Sequence, residues 1–205
     1  GMGRLKILDL DSPNLCPVVD GNLVLTYNGE IYNFIELREE LIKLGHEFHT
    51  ESDSEVVLKA YRQWGPLCLD KFNGMFAFAI YDGHHLFLAR DIAGEKPLYY
   101  WLHGFSFASE RKALERCVEF PPGHYGIYDF ERDRLEFKRY WFPPTTIRDV
   151  GLQQAVEELD VLLNSAVQMR TRAHVPYGLY FSGGIDSTLI STYHNFAHQY
   201  TYKDK

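Results

Sequence analysis

Between residues 76 and 140 the chain reads as three β-hairpins in succession, and that succession decides which folds are open to it. Phe76 to Tyr81 is apolar and aromatic, Asp82-Gly83 is a strong hairpin dipeptide, and Leu86 to Arg90 returns. Leu98 to Trp101, His103-Gly104 and Phe105 to Ala108 form the second hairpin. His124 to Phe130 and Leu135 to Tyr140, joined by the charged turn Glu131 to Arg134, form the third. Strands joined by tight turns pair antiparallel, so the middle of the chain is antiparallel sheet.

Two helices precede the hairpins. Asn33 with Glu36 has the capping-box spacing, Phe34, Leu37, Leu41 and Leu44 follow at helical intervals, and Gly45 sits where a C′ residue is wanted. Ser52 with Glu55 opens the second helix, which runs through Val56, Val57, Ala60, Tyr61 and Trp64 until Gly65-Pro66 stops it. Before both, Leu23 to Tyr27 is a buried strand that runs into Asn28-Gly29-Glu30. Pro143-Pro144 marks a boundary between domains 2–143 and 144–205. Past it, Leu152, Val156, Leu159, Leu162, Leu163 and Val167 mark an amphipathic helix. An apolar strand, Tyr177 to Phe181, then enters Ser182-Gly183-Gly184-Ile185-Asp186-Ser187 and a helical stretch.

Composition narrows the function classes. With 205 residues, 45% hydrophobic and 15% aromatic, the chain has a sizeable core and is not disordered. A net charge of −7 without a basic run argues against a nucleic-acid partner, since such binding rests on Lys and Arg at phosphates. The longest apolar run, Met75 to Tyr81, is too short to span a bilayer, so no membrane partner is expected. Arg4, Lys6, Asp9 and Asp11 interrupt the first stretch, which therefore has no signal-peptide core. Cys16, Cys68 and Cys117 are odd in number and lack metal-ligand spacing, so each is read as a small buried hydrophobe in a reducing compartment. The expectation is a soluble cytoplasmic protein.

The motif with the most chemistry is strand–SGGIDS–helix. Two glycines let the backbone close around an anion, and successive N–H groups with the helix N-terminus then point at phosphate oxygens. Ser182 and Ser187 add hydroxyls, and Asp186 is placed to hold Mg²⁺ or orient a water. The bland alternative is an ordinary Gly-rich turn, against which two serines, two glycines and an aspartate in six residues weigh heavily. In Tyr27-Asn28-Gly29-Glu30, a side-chain amide followed by a Gly N–H fits an oxyanion hole, but spacing alone fits a turn with left-handed Asn and Gly better. In Ser52-Asp53-Ser54-Glu55, helix capping accounts for Ser52 and Glu55, and Asp53 is in addition a candidate to bind a substrate ammonium. The stretch Ala89 to Tyr100 reads on its own as a loop with a solvated salt bridge followed by a strand. His84-His85, beside a hairpin turn, does not read as a metal site.

Taken together these segments resemble the glutamine-hydrolysing asparagine synthetases. The strings that carry the resemblance are Arg4-Leu5 with Asp9-Leu10, NGEIYNF at 28–34 with Glu36-Leu37-Arg38, SDSE at 52–55 and NGMFAFAIYD at 73–82. LARDIAGEKPLYY at 88–100, FASERKAL at 107–114, PPGH at 121–124, YW at 140–141 and VPYGLYFSGGIDS at 175–187 complete them in order. The resemblance implies an α+β N-terminal-nucleophile fold, an αββα sandwich characteristic of class II glutamine amidotransferases, followed by the beginning of an α/β ATP pyrophosphatase domain. It implies that glutamine is hydrolysed at the first site and that ammonia meets an aspartyl adenylate, made with ATP and Mg²⁺, at the second. Carried over residue by residue, Arg4 clamps the glutamine carboxylate, and Asn28 and Gly29 form the oxyanion hole. Glu30 and Asp53 hold the amino end, and Ser182, Gly183, Gly184, Asp186 and Ser187 bind ATP phosphates or pyrophosphate. Glu110 receives no role.

The chain departs from the family at its nucleophile. The family attacks glutamine with an N-terminal cysteine, which no cysteine of this chain matches, and the first match lies well inside the amidotransferase domain. The expectation is therefore a truncated, catalytically incomplete amidotransferase that self-associates through its uncovered apolar face. Two other readings stand beside it: a non-catalytic module binding glutamine or an anion, and one subunit of a split enzyme.

Overall fold

A computed structural model describes residues 17–194 and the strand at 198–201. The chain divides into two compact units at Pro143/Pro144.

In the first unit, six strands form one antiparallel sheet: β1 (Val18–Asp20), β2 (Leu23–Ile31), β3 (Gly74–Tyr81), β4 (His85–Arg90), β8 (His124–Asp129) and β9 (Arg134–Arg139), in the order β1-β2-β3-β4-β8-β9. A second antiparallel sheet has β5 (Tyr99–Trp101) between β6 (Ser106–Ala108) and β7 (Val118–Glu119). Helices α1 (Phe34–Lys43) and α2 (Asp53–Trp64) lie on one face of the large sheet. Period-two alternation sorts the strands between two cores. Leu25, Tyr27, Ile31, Phe76, Phe78, Ile80 and Phe87 face the helices and pack on Leu37, Leu41, Val57 and Leu58. Ala77, Ala79, Leu86 and Leu88 face the small sheet and pack with Leu98, Phe120 and Tyr128. The layers therefore run helix, sheet, sheet, three of the four layers of the expected αββα sandwich. Among the described residues of this unit, α-helices cover the large sheet alone.

The turns that the sequence marked are where they were expected. Gly45, at φ +94°, closes α1: its N–H donates to Ile42 O and the His46 N–H to Leu41 O. Gly83, at φ +101°, turns the first hairpin, and Asp82 Oδ1 accepts the His84 and His85 N–H groups. The capping boxes differ from expectation. Asn33 occupies the N-cap position, but its side chain donates to Lys71 O and accepts from Asn73 N, tying α1 to the approach to β3. Ser52 caps α2 by accepting from Ser54 N, whereas Glu55 reaches past it to accept from His49 N, Thr50 N and Thr50 Oγ1. Cys68 is buried as read, Cys117 is half-buried, and Cys16 lies outside the described residues.

Strand β2 also runs further than expected. Instead of ending at Tyr27 it continues through Asn28-Gly29-Glu30 to Ile31, with Asn28 opposite Ala77 and Gly29 opposite Phe76. Gly29 does not have a positive φ, so the left-handed turn is not formed.

The segment 89–100 is another correction. Asp91 is 1% exposed, and its carboxylate accepts backbone N–H groups of Phe76, Ala93, Glu95 and Lys96. Arg90, 4% exposed, donates to Lys96 O, Gly94 O, Phe120 O and Glu119 Oε1. Residues that read as a solvated ion pair are buried anchors, because backbone groups of a tight loop compensate each charge where water is excluded.

The second unit holds α3 (Leu152–Arg170), β10 (Gly178–Phe181), α4 (Ile185–Thr192) and β11 (His198–Thr201), with β10 parallel to β11. Strand, helix and parallel strand make the α/β element expected there. Among the described residues no helix is long and apolar enough to cross a membrane.

Two measurements follow from these anchors. Asp91→Ala strands the buried N–H of Phe76 and three part-buried ones and is expected to cost about 3 kcal/mol, read as a loss of about 8 °C in thermal melting. Asp20 ties the β1–β2 hairpin to α2 through Lys59 Nζ at 3.1 Å and Arg62 Nε at 2.7 Å. Desolvation raises its pKa, but hydrogen bonds from Arg62 and Lys59 outweigh this and hold it below 3.8. A lowered folded pKa stabilises above the unfolded value and loses that stability as pH falls through the folded one. Acid melts below pH 3.8 should be shallower in Asp20→Asn than in the parent.

Candidate functional site

The residues singled out in the first unit meet at the C-terminal half of β2. Tyr32 N–H donates to Asn73 O at 2.8 Å, toward β3. Backbone N–H groups alternate along a strand, so those of Ile31 and Gly29 point the other way. The Ile31 N–H indeed donates to Asp53 Oδ2 at 3.1 Å. Phe76, opposite Gly29, likewise turns both its backbone groups away from β2: its N–H meets Asp91 Oδ2 and its carbonyl accepts Asp91 N. Strand β1 pairs only with Leu23 to Leu25, so among the described residues positions 26–31 of β2 have a neighbouring strand on one side alone. The Gly29 N–H lies along that edge, on the side away from β3.

Side chains bracket the edge from both faces. Asn28 and Glu30 share the face of Ala77 and Met75, with Asn28 half-buried and Glu30 buried. Asp53 approaches from the helix layer. It is the first residue of α2, fully buried, and its Oδ2 accepts the Tyr27 phenol at 2.6 Å as well as the Ile31 N–H. Segment 48–52 is held by Arg38, which donates to Thr50 O at 2.6 Å and Ser52 O at 3.3 Å and stacks over Phe48. The helix N-terminus and its positive end favour the buried carboxylate of Asp53.

Gly29 is fixed by packing as well. A Cβ there would lie 2.3 Å from Met75 O and 2.7 Å from Phe76 Cα. Gly74 makes the reciprocal approach, with a Cβ placed 2.2 Å from Glu30 O. Neither neighbour can give way, because both are ladder backbone. The structure thus brings Asn28, Gly29, Glu30 and Asp53 together, while Arg4 lies outside the described residues. Tyr27 had been read only as part of its string; the one signal for its role is a hydroxyl at an inward position of a buried strand.

In the second unit, Ser182 to Ser187 form the bend between β10 and α4. Gly183 takes φ +79°, and Gly184 is the N-cap of α4. Ser182 Oγ lies 3.1 Å from Ser187 Oγ and accepts the Gly184 N–H at 3.4 Å, while Ser187 Oγ donates to Gly184 O. Ser182, Gly183, Gly184 and Asp186 are exposed and Ser187 half-buried, so the hydroxyls and helix N-terminus are presented outward. Among the described residues no three His, Cys, Asp or Glu side chains gather to hold a metal ion.

Of the described cysteines, Cys68 is a poor nucleophile. Burial, then the charge of Asp70, pushes its thiol well above the ordinary range, and reactivity requires the thiolate.

Comparison with known proteins gives a consistent picture. Residues 1–124 match the family model of the glutamine amidotransferase domain, and residues 158–201 that of asparagine synthase. A probable glutamine-hydrolysing asparagine synthetase of Schizosaccharomyces pombe is 41% identical over 205 residues, covering 92% of this chain and 36% of that protein. Asparagine synthetase B of Escherichia coli is 40% identical over 177 residues, covering 82% of this chain and 31% of that protein. The chain thus spans about a third of the length of these relatives. Among solved structures, the glutamine phosphoribosylpyrophosphate amidotransferase of B. subtilis superposes with a TM-score of 0.52 at 20% identity, over 85% of this chain and 44% of that one. That likeness concerns the fold.

Gly29→Ala tests whether ladder packing fixes this segment. Its Cβ must displace Met75 O or Phe76, so a loss of about 3 kcal/mol is expected in denaturant titration.

Proposed function

The chain belongs to the glutamine amidotransferase family, and its relatives are glutamine-hydrolysing asparagine synthetases; on that premise we propose that its first unit binds glutamine at the edge of β2 that faces away from β3 and its second binds ATP phosphates at the 182–187 loop. The observation that carries the first assignment is the outward N–H of Gly29, two residues from the Ile31 N–H that Asp53 accepts. An amide carbonyl laid along that edge meets the Gly29 N–H and the Asn28 side-chain amide together. The strand ladder fixes the Gly29 donor before the substrate arrives, and both donors strengthen their bonds as negative charge develops on the oxygen. Glu30 and Asp53 offer carboxylates for the α-ammonium, and Arg4 supplies the positive charge for the α-carboxylate.

In the second unit, the Gly183 and Gly184 backbone and the two serine hydroxyls cradle phosphate oxygens at the start of α4. Asp186 is the residue on this loop able to hold Mg²⁺, which when bound neutralises phosphate charge. The reaction served is the ATP-dependent amidation of an acid, aspartate in the relatives' named activity, with nitrogen released from glutamine.

Attack on the amide needs a thiolate, which buried Cys68 does not supply. This favours keeping a second reading, a module that binds glutamine without cleaving it. Calorimetry of the purified chain with glutamine, run beside an ammonia assay, separates the two. Heat with ammonia release supports an amidotransferase, heat without it supports the binding module, and no heat removes both. In either surviving case Asp53→Asn should weaken glutamine at least tenfold, about 1.4 kcal/mol. Asp186→Ala should weaken Mg²⁺–ATP and leave glutamine unchanged.

A further inference from the structure

Thr50 stands three residues before Asp53, and each of its polar groups is engaged. Its N–H donates to Glu55 Oε2 at 2.8 Å, and its hydroxyl donates to the same oxygen at 2.7 Å. The hydroxyl oxygen in turn accepts the Ser52 N–H at 3.3 Å, and the Thr50 carbonyl accepts Arg38 Nη1 at 2.6 Å. Two helices therefore converge on one residue: buried Glu55 comes from the first turn of α2, and Arg38 from α1. Neither partner stops at Thr50. Glu55 also accepts the His49 N–H, while Arg38 Nη2 reaches the Ser52 carbonyl at 3.3 Å and its guanidinium lies over the Phe48 ring. The segment is thus held by a carboxylate on its amide side and a guanidinium on its carbonyl side. Hydrogen bonds to charged groups are the strong kind, and the planar guanidinium presents its donors in a fixed fork.

Ser52 carries that hold to the site. Its N–H is taken by Thr50, its carbonyl by Arg38, and its side chain caps α2 at Ser54 N. Asp53 is the next residue and the first of α2. On the reading that Asp53 serves the glutamine site, we propose that Thr50 is a positioning residue for the amino-end subsite: bound by Glu55 on one side and Arg38 on the other, it fixes the path by which the chain enters α2, and with it the place from which Asp53 reaches the substrate ammonium. The role concerns where the Asp53 backbone stands, whatever groups its carboxylate meets. Binding groups must sit within about 0.5 Å of their productive position, so a slackened entry to α2 is felt at the ligand. The hydroxyl is separable from the shape of the side chain. Valine keeps the branched outline without donor or acceptor, whereas serine keeps both and loses a methyl group.

The test is a double-mutant cycle on the full chain, titrated with glutamine. Thr50→Val is expected to weaken glutamine about tenfold, and Thr50→Ser to bind it as the parent does. In an Asp53→Asn background Thr50→Val should add no further loss, because there is no carboxylate left to place. Losses that multiply overturn the role, since the hydroxyl would then support the fold at large and not act through Asp53. Parent-like affinity in Thr50→Val, or a Thr50→Ser chain as weak as Thr50→Val, also overturns it, and a loss in Asp53→Asn then leaves the site assignment standing. Parent-like affinity in Asp53→Asn overturns both, as does a parent that binds no glutamine. Should Thr50→Val not fold, Arg38→Lys replaces it in the same cycle, since a single ammonium cannot span the Thr50 and Ser52 carbonyls as the fork does: a loss absent from the Asp53→Asn background supports the role, and no loss or a multiplying one overturns it.

Discussion

The first unit hangs on a carboxylate that water does not reach. Asp91 follows the last residue of β4 and accepts N–H groups from β3 and from three residues of the loop leading to β5. Its own carbonyl accepts the N–H groups of Gly94 and Gly123, and Arg90 beside it gathers carbonyls from Gly94, Lys96 and Phe120. Tyr140 closes the set by donating to Arg90 O. One dipeptide therefore fastens the loop before the small sheet and the segment entering β8 onto the β3–β4 hairpin. That fastening adds to the packing of Leu98 and Phe120 that holds three short strands over Ala77, Ala79 and Leu88. Burying two charges is costly unless each is surrounded by hydrogen bonds, and here the loop backbone provides them.

Asp53 repeats the device at the other face. It too accepts a strand N–H, that of Ile31, and it too links two layers, α2 and β2. The difference is in the remaining partners. Asp91 is enclosed by main-chain donors, as a structural anchor should be, whereas the partners of Asp53 include a side-chain phenol on the strand that carries Asn28 and Gly29.

Local signals made much of this legible. Gly45 and Asp82-Gly83 are where a helix must end and a hairpin must turn, because left-handed backbone and short-range acceptors are needed there whatever packs around them. Helical spacing and hairpin order likewise depend on near neighbours, and so the layers could be anticipated. What could not be read were the choices made by distant partners. Asn33 and Glu55 had suitable caps within reach and bonded elsewhere, at Lys71 and Asn73 in one case and His49 and Thr50 in the other. Arg90 and Asp91 looked like surface charges because nothing nearby in sequence reveals that the 93–96 backbone folds back over them. In the site, Asn28, Gly29 and Asp53 were candidates on local chemistry that a resemblance strengthened and Glu30 came from the resemblance alone, whereas Tyr27 needed the structure.

Gly29 shows why the strand–turn ambiguity resolved as it did. On its own, Asn-Gly prefers to turn. Opposite it, however, β3 supplies a second glycine: Gly74 approaches Glu30 O as Gly29 approaches Met75 O. Two glycines facing one ladder let the strands come closer than any side chain permits, and that closeness holds Asn-Gly extended through Ile31. The extended form then turns the Gly29 N–H outward, which a left-handed turn would not. The direction of this donor, away from β3, is thus a consequence of strand packing, set before any ligand arrives and as rigid as the sheet itself.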